Sequence, residues 1–337
     1  MTRAVLLVNI GSPDEWTVAS TRKYLRKFLM DKRVIDVPFL FRFLLVNLII
    51  VPFRAPGSLR SYKRILINGQ SPLIYYSYQL ETKLQKLLGD AYYVKIAMMY
   101  GRPYLQEVLD ELQRMHLSEI IVVPLYPQYA SSTTGSVLEA VFNHIKNWQV
   151  IPNIKTVHTF YHYSEFVDLW TRHIQKHLPA EYDFILFSYH GLPVRQIFKA
   201  DSQFSKRNCN LSECCLDCKS ENEYCYRMNC LRTTQSIVEK LSIDKNKTFT
   251  CFQSRLGQSE WLKPYALDYL KELAQKGVKR LVVVSPAFVT DCLETLYEIQ
   301  TEYAELFKRW GGDKLTLIPS LNVEDEWIKF LSVVVRE

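Results

Sequence analysis

Three groups of residues in this 337-residue chain are of types and spacings that do chemistry. His190 stands directly after the apolar run Phe184-Ile185-Leu186-Phe187-Ser188-Tyr189 and directly before Gly191. A lone histidine is more often packed or at the surface, but beyond a buried strand the backbone opens onto a crevice. A neutral imidazole there can take a proton or ligate a metal near neutral pH. The second group is Thr290-Asp291-Cys292-Leu293-Glu294-Thr295-Leu296-Tyr297-Glu298. A helix beginning near Asp291, with Asp291 as its cap, puts Asp291, Glu294 and Glu298 at i, i+3 and i+7 on one face, and Glu302 extends the stripe. A solvated acidic face is the plainer reading. Against it, like charges at this spacing oppose helix formation, and carboxylates in a row suit a hard or borderline divalent cation.

The third group is six of the eight cysteines, Cys209, Cys214, Cys215, Cys218, Cys225 and Cys230, within 22 residues. Such crowding is costly in a reducing compartment unless a metal holds it. Zinc is the generic reading, although only Cys215 and Cys218 form a C-x2-C pair. An iron–sulfur cluster on four thiolates fits the uneven spacing as well, and free thiols are the third alternative. Adjacent Cys214 and Cys215 rarely share one iron, and six candidates exceed four ligand places, so at least two of the six are spectators. Cys251 and Cys292 read as ordinary buried thiols.

The elements that position these groups come in two similar sets. Residues 102–123 realign with residues 263–284 at a constant offset of 161: Pro103 falls on Pro264, Tyr104 on Tyr265, Leu109 on Leu270 and Leu112 on Leu273. Each copy is an amphipathic helix feeding a short, wholly apolar strand, the pattern of a parallel sheet buried on both faces. A looser echo joins Ala4–Ile10 with Phe184–Tyr189. The expected fold is α/β, with two Rossmann-like domains, each a parallel sheet flanked by helices. The expected domains are residues 1–155 plus 311–337, and residues 156–310. Ligands of such sheets sit beyond the carboxyl ends of the strands. Those ends here are Asn9–Pro13, Pro124–Gly135, Ser188–Pro193 and Ser285–Glu294.

Composition agrees: 48% apolar and 23% charged residues exclude a disordered or fibrous chain. No apolar stretch of 18 residues runs without a charge or proline, and the first ten residues are too short for a signal peptide, so a cytosolic chain is expected. The net charge of +7 suits anionic partners without choosing among them, and no phosphate-loop or dinucleotide fingerprint is present. Residues 34–53 are strongly apolar, but Asp36, Arg42, Asn47, Pro38 and Pro52 argue against a spanning helix. The alternatives are a buried core helix or an apolar lip. Ten basic residues between Arg22 and Arg64 surround the stretch, the pattern of a surface that dips into an anionic membrane.

In order along the chain, five segments resemble the ferrochelatases, the class II chelatases that insert ferrous iron into a porphyrin. They are Leu6–Pro13, Tyr126-Pro127-Gln128-Tyr129 with Ser132–Gly135, Ser188–Pro193, Gln253-Ser254-Arg255 with Trp261-Leu262, and Asp291–Leu296. The resemblance implies the chelatase-like fold, with His190 at the porphyrin face in metal binding or pyrrole deprotonation. It makes Glu294 and Glu298 the acidic path to the metal, His190 and Glu294 the groups closest to the iron, and Asn9, Ile10, Tyr126 and Trp261 walls around the macrocycle. Arg54, Tyr62 and Ser71 fall where members hold propionates, whereas Met99 stands where other members carry arginine. Ile10 looks more like the protoporphyrin-using type. The apolar stretch becomes the lip of the cleft, and the partners become porphyrin, ferrous iron and the inner face of the cell membrane, with no nucleic acid. The cysteine-rich stretch resembles an internal insertion of some bacterial members, for which a [2Fe–2S] cluster is expected, on Cys209, Cys215, Cys225 and Cys230 with Cys214 and Cys218 as alternatives. A non-catalytic tetrapyrrole carrier or iron sensor, and a cobalt chelatase for a corrinoid precursor, are the competing functions.

Overall fold

The computed structural model describes residues 2–201, 209–215, 222–257 and 259–337. They divide into two units. The first comprises Met1–Tyr126, Ala130–His158 and Asn322–Glu337; the second comprises Pro127–Tyr129 and Thr159–Leu321.

In the first unit the strands are β1 (Thr2–Asn9), β2 (Tyr92–Met98), β3 (Leu117–Pro124) and β4 (Asn153–Thr156), all parallel in the order β2-β1-β3-β4. Ala4–Val8 of the central strand are fully buried, as is expected of a strand covered on both faces. At about 1.5–3 kcal/mol per large buried apolar side chain, these strands carry much of the unit's stability. The helices are α1 (Val18–Leu29), α2 (Phe39–Leu44), α3 (Val51–Lys63), α4 (Pro72–Leu88), α5 (Leu105–Gln113) and α6 (Ser136–Ile145), with α12 (Asp325–Arg336) added by the chain's return.

In the second unit β5 (Phe184–His190), β6 (Thr248–Gln253), β7 (Arg280–Val284) and β8 (Lys314–Leu317) form a parallel sheet in the order β6-β5-β7-β8, the same order by position as the first. Its helices are α7 (Ser164–His177), α8 (Val194–Asp201), α9 (Tyr226–Leu241), α10 (Ala266–Gln275) and α11 (Ala304–Arg309). The repeat read from the sequence is α5–β3 and α10–β7. Each copy opens on an X-Pro cis peptide, Arg102–Pro103 and Lys263–Pro264, and each proline carbonyl accepts from a residue of the neighbouring strand, Met98 or Phe252. The second unit reaches further than the expected boundary at 310. β8 pairs with β7, so the chain leaves the second sheet only after Leu321.

Three described helical segments are π rather than α. One is a π segment, Leu45–Ile50, which joins α2 to α3 in one helical run, Phe39–Lys63. Pro52 and Pro56 lie within this run without breaking it. Pro52 cannot donate to the turn before it, and the wider π turn accommodates that loss. The run is also long and apolar enough, by length and composition, to cross a membrane, which its prolines and polar residues argued against. Nor is it a core helix. Only Val46, Val51, Ala55 and their neighbours pack on Tyr24, Leu25 and Leu29, whereas Phe39, Leu40, Phe41, Leu48, Ile49 and Phe53 are exposed, Phe53 by 81%. Arg42 is turned inward, its guanidinium donating to the carbonyls of Ile35 and Val37, and Asn47 donates to the Phe43 carbonyl. The other π segments are Ser131–Gly135, which leads into α6, and Leu293–Tyr303, in the second unit.

Candidate active site

β5 delivers His190 to the carboxyl end of the second sheet, where the half-buried imidazole hydrogen-bonds its Nδ1 to the Gly191 carbonyl at 2.6 Å. A carbonyl only accepts, so Nδ1 carries the proton and Nε2 keeps its lone pair. That is the tautomer a proton acceptor or metal ligand needs. Gly191 has no room for a side chain: a Cβ would meet the Gln253 carbonyl oxygen at 2.9 Å and Trp261 Cε3 at 3.2 Å. Trp261 lies with its ring centroid 6.4 Å from the imidazole and donates its indole N–H to Ser259.

The acidic segment begins one residue later than expected and in a different helical form. Cys292 is its N-cap, with the Cys292 N–H donating to Thr295 Oγ1, and the helix is π from Leu293 to Tyr303. Asp291 is therefore neither the cap nor part of an exposed stripe. It is buried and braces the turn, accepting from Thr295 Oγ1 at 3.0 Å and from the Ser320 N–H at 3.3 Å. The two glutamates then differ. Glu298 is clamped: Ser254 donates to it through its N–H (3.0 Å) and its hydroxyl (2.6 Å), and the Tyr303 hydroxyl donates at 2.7 Å. The Gln253 amide reaches both Glu298 (3.4 Å) and the Glu294 carbonyl (3.3 Å), and its own oxygen accepts from Ser188 of β5 at 2.6 Å. Glu294 sits beside the Cys292 thiol, which burial and this carboxylate push well above its usual range. Desolvation, and then Glu298 and Glu305, raise the pKa of Glu302. Tyr303 is raised too, by burial and by Glu298, so its phenol remains a donor. His190, Gln253, Ser254, Glu298 and Tyr303 thus join one hydrogen-bonded end of the second sheet, through Gln253 as the common member: its backbone carbonyl accepts from Gly191 N–H at 2.8 Å. The loop after β6 is legible as polar, but its clamp on Glu298 is not, because it depends on Ser254 adopting φ +64°, a left-handed backbone that is rare outside glycine.

In the first unit the end of β1 is of another kind. Asn9 is buried and its side-chain oxygen accepts from Ile10 N–H, while Ile10 packs against the Tyr24 and Leu25 layer. Arg54 is exposed and Tyr126 half-buried. Tyr62 is buried against Trp16 and Tyr24. Ser71 differs from its expected role as a propionate contact: it caps α4 by accepting from Ile74 N–H, shares a hydrogen bond with Ser12, and is 2% exposed, so its hydroxyl is already engaged.

The cysteines divide as well. Cys214 Sγ lies 3.7 Å from Cys215 Sγ and 4.0 Å from Cys209 Sγ. The hydrogen bond between Cys215 and Cys225 pushes the Cys215 thiol up and the Cys225 thiol down. Burial pushes Cys209 up to about 11. Thiolates bound tetrahedrally at about 2.3 Å from one metal stand roughly 3.7 Å apart, so the Cys209–Cys214 separation suits two thiolates on one metal. Beside them Arg227 interacts with Cys215, and its buried Nη1 lacks a hydrogen-bond partner, which suits an anionic centre. Cys230, placed in the expected ligand set, is completely buried one turn along α9. Its neighbours there are Tyr226 and Tyr189. Cys218 lies outside the described residues.

Two parallel four-stranded sheets in the same order, each flanked by helices, form a chelatase fold. The chain is similar to SirB from Bacillus subtilis with Fe3+ at a TM-score of 0.54 and 12% identity, covering 100% of this chain and 95% of that one. A second structure, the sirohydrochlorin chelatase SirB from Bacillus subtilis subspecies spizizenii in complex with cobalt, matches with the same score and coverage. At that identity the likeness shows the fold alone. The family is fixed by sequence: a model of the ferrochelatases matches residues 2–337, and this chain belongs to that family. A ferrochelatase of Coxiella burnetii (strain Dugway 5J108-111) is 41% identical over 336 residues, covering 99% of this chain and 93% of the relative. One of Legionella pneumophila (strain Lens) is 38% identical over 339 residues, covering 100% and 99%.

Proposed function

We propose that this enzyme inserts ferrous iron into a porphyrin to form heme, with His190 as the base, and that protoporphyrin is the porphyrin it takes. The observation that carries the mechanism is the imidazole with its Nδ1–H spent on Gly191 and its Nε2 left basic, in the same unit as the π-helical glutamates. Two pyrrole N–H protons must leave as the iron gains its bonds to the ring nitrogens. The iron remains ferrous, and no electron changes hands. Nε2 accepts a pyrrole proton and passes it to water, then serves the second. Glu294 and Glu298 exchange the cation's water shell for carboxylate oxygens, and the clamped Glu298 loses little freedom in doing so. In the second unit Trp261, 6.4 Å from the imidazole, contacts the porphyrin. The apolar Ile10 favours the two-propionate ring. A carrier or sensor would need walls, but neither a base nor a carboxylate path.

Two further parts belong to this reading. Cys209, Cys214, Cys215 and Cys225 hold a [2Fe–2S] cluster, which contributes folding free energy to a polar segment with little apolar core. The exposed face of Phe39–Lys63, with Arg22, Arg26, Arg60 and Arg64 exposed nearby, rests on an anionic membrane at the cytoplasmic face. The deciding experiment is an anaerobic assay with protoporphyrin and ferrous iron, following loss of porphyrin fluorescence; no loss with freshly reduced iron would defeat the reading. For the cluster, metal analysis and visible absorption serve: two irons per chain and dithionite-bleachable colour are expected, whereas one zinc and no colour would replace it.

A further inference from the structure

The peptide unit between His190 and Gly191 is held at both of its polar ends. Its N–H, from Gly191, donates to the Gln253 carbonyl at 2.8 Å. Its carbonyl, from His190, accepts from the Tyr226 hydroxyl at 2.8 Å. The peptide is planar and stiff, so two hydrogen bonds on opposite sides fix its tilt. The Gly191 carbonyl that receives the imidazole Nδ1–H belongs to the next peptide, joined through the Gly191 Cα, so holding the 190–191 peptide anchors the start of the turn that carries it. Residue 191 itself adds no side chain to fix the turn, because a Cβ there would meet Gln253 and Trp261. Tyr226 itself is buried and is the first residue of α9, directly after Cys225, the helix's N-cap. Its hydroxyl also meets Cys230 one turn on, so the phenol is fixed in a closed environment.

We propose that Tyr226 is a positioning residue for His190, whose hydroxyl holds the 190–191 peptide and thereby keeps the imidazole Nε2 aimed for proton transfer. The proposal rests on the reading of His190 as the base. It assigns Tyr226 no contact with porphyrin or iron. Removing the hydroxyl leaves the ring packed and the imidazole present, but lets the peptide rock. The rate of proton transfer then suffers, and porphyrin binding does not, because geometry at the reacting atom weighs on the turnover step.

The test is Tyr226→Phe in the full chain, purified anaerobically and assayed with protoporphyrin and ferrous iron. We expect kcat to fall about tenfold, the scale of one lost hydrogen bond at a reacting group, with KM for protoporphyrin unchanged within about twofold. The melting temperature and visible absorption should match the parent. In histidine-15N-labelled protein the His190 side-chain signal should shift, a change that a merely structural role elsewhere would not produce. A parent-like kcat, or an unmoved His190 signal, overturns the proposal. So does a joint loss of kcat, porphyrin affinity and melting temperature, which would make Tyr226 an ordinary core residue. His190→Ala keeps the two readings apart. Full activity in that variant removes the base itself, whereas an inactive His190→Ala beside a parent-like Tyr226→Phe removes only the positioning role.

Discussion

The two units share a strand order, a helix–strand repeat and a matched pair of prolines, yet their central strands end in different chemistry. β1 ends on Asn9 and Ile10, an amide bonded to its own backbone and an apolar side chain. β5 ends on His190, joined through Gly191 and Gln253 to Ser254, Glu298 and Tyr303. The scaffold thus recurs, while β5 ends on a histidine tied into a carboxylate-bearing network and β1 on an amide bonded to its own backbone.

Several substitutions test that contrast. The largest loss after His190 should come at Glu294, where Glu294→Gln removes a carboxylate next to the cation's final position and should cut kcat about a hundredfold. Glu298→Gln should cost about tenfold, mainly as a raised KM for iron, and Ser254→Ala should reproduce a part of that loss by loosening the clamp. Asn9→Ala, at the corresponding end of the first unit, should leave kcat within about threefold and act on porphyrin KM; an effect as large as that of Glu294→Gln would erase the distinction. Glu302→Gln should change stability more than rate. A carboxyl raised in the folded state penalises folding once pH exceeds the unfolded value near 4.5. The variant should therefore melt about 1–2 °C higher at pH 7 and no higher at pH 4, measured by thermal scans at both. Phe41→Ser with Phe53→Ser should leave solution kcat and melting unchanged but release the protein from anionic vesicles in a flotation assay.

The scaffold was more legible than the site. Apolar runs such as Ala4–Val8 and Leu281–Val284 announce strands buried on both faces, and the 161-residue offset announces their duplication. His190 was legible because strand ends in such sheets face ligands. The π form of Leu293–Tyr303 was not, since Glu294 and Glu298 fit an α-helical face equally well and the choice depends on packing around Asp291 and Thr295. The engaged state of Ser71 was hidden for the same reason: its partner, Ser12, lies 59 residues away. Cys230 looked equivalent to its neighbours by spacing, but α9 turns it toward Tyr226 and Tyr189. Pro52 argued against a spanning helix, and periodicity carries no signal for the π turn ahead of it.

The most direct test of the account is chemical rescue at the base. His190→Ala should bind protoporphyrin with parent-like affinity, measured by fluorescence titration, while single-turnover insertion of ferrous iron slows about a thousandfold. Added imidazole should then restore part of the rate in proportion to its neutral form. Insertion by His190→Ala within about threefold of the parent, without added imidazole, would contradict the assignment of proton transfer to the end of β5.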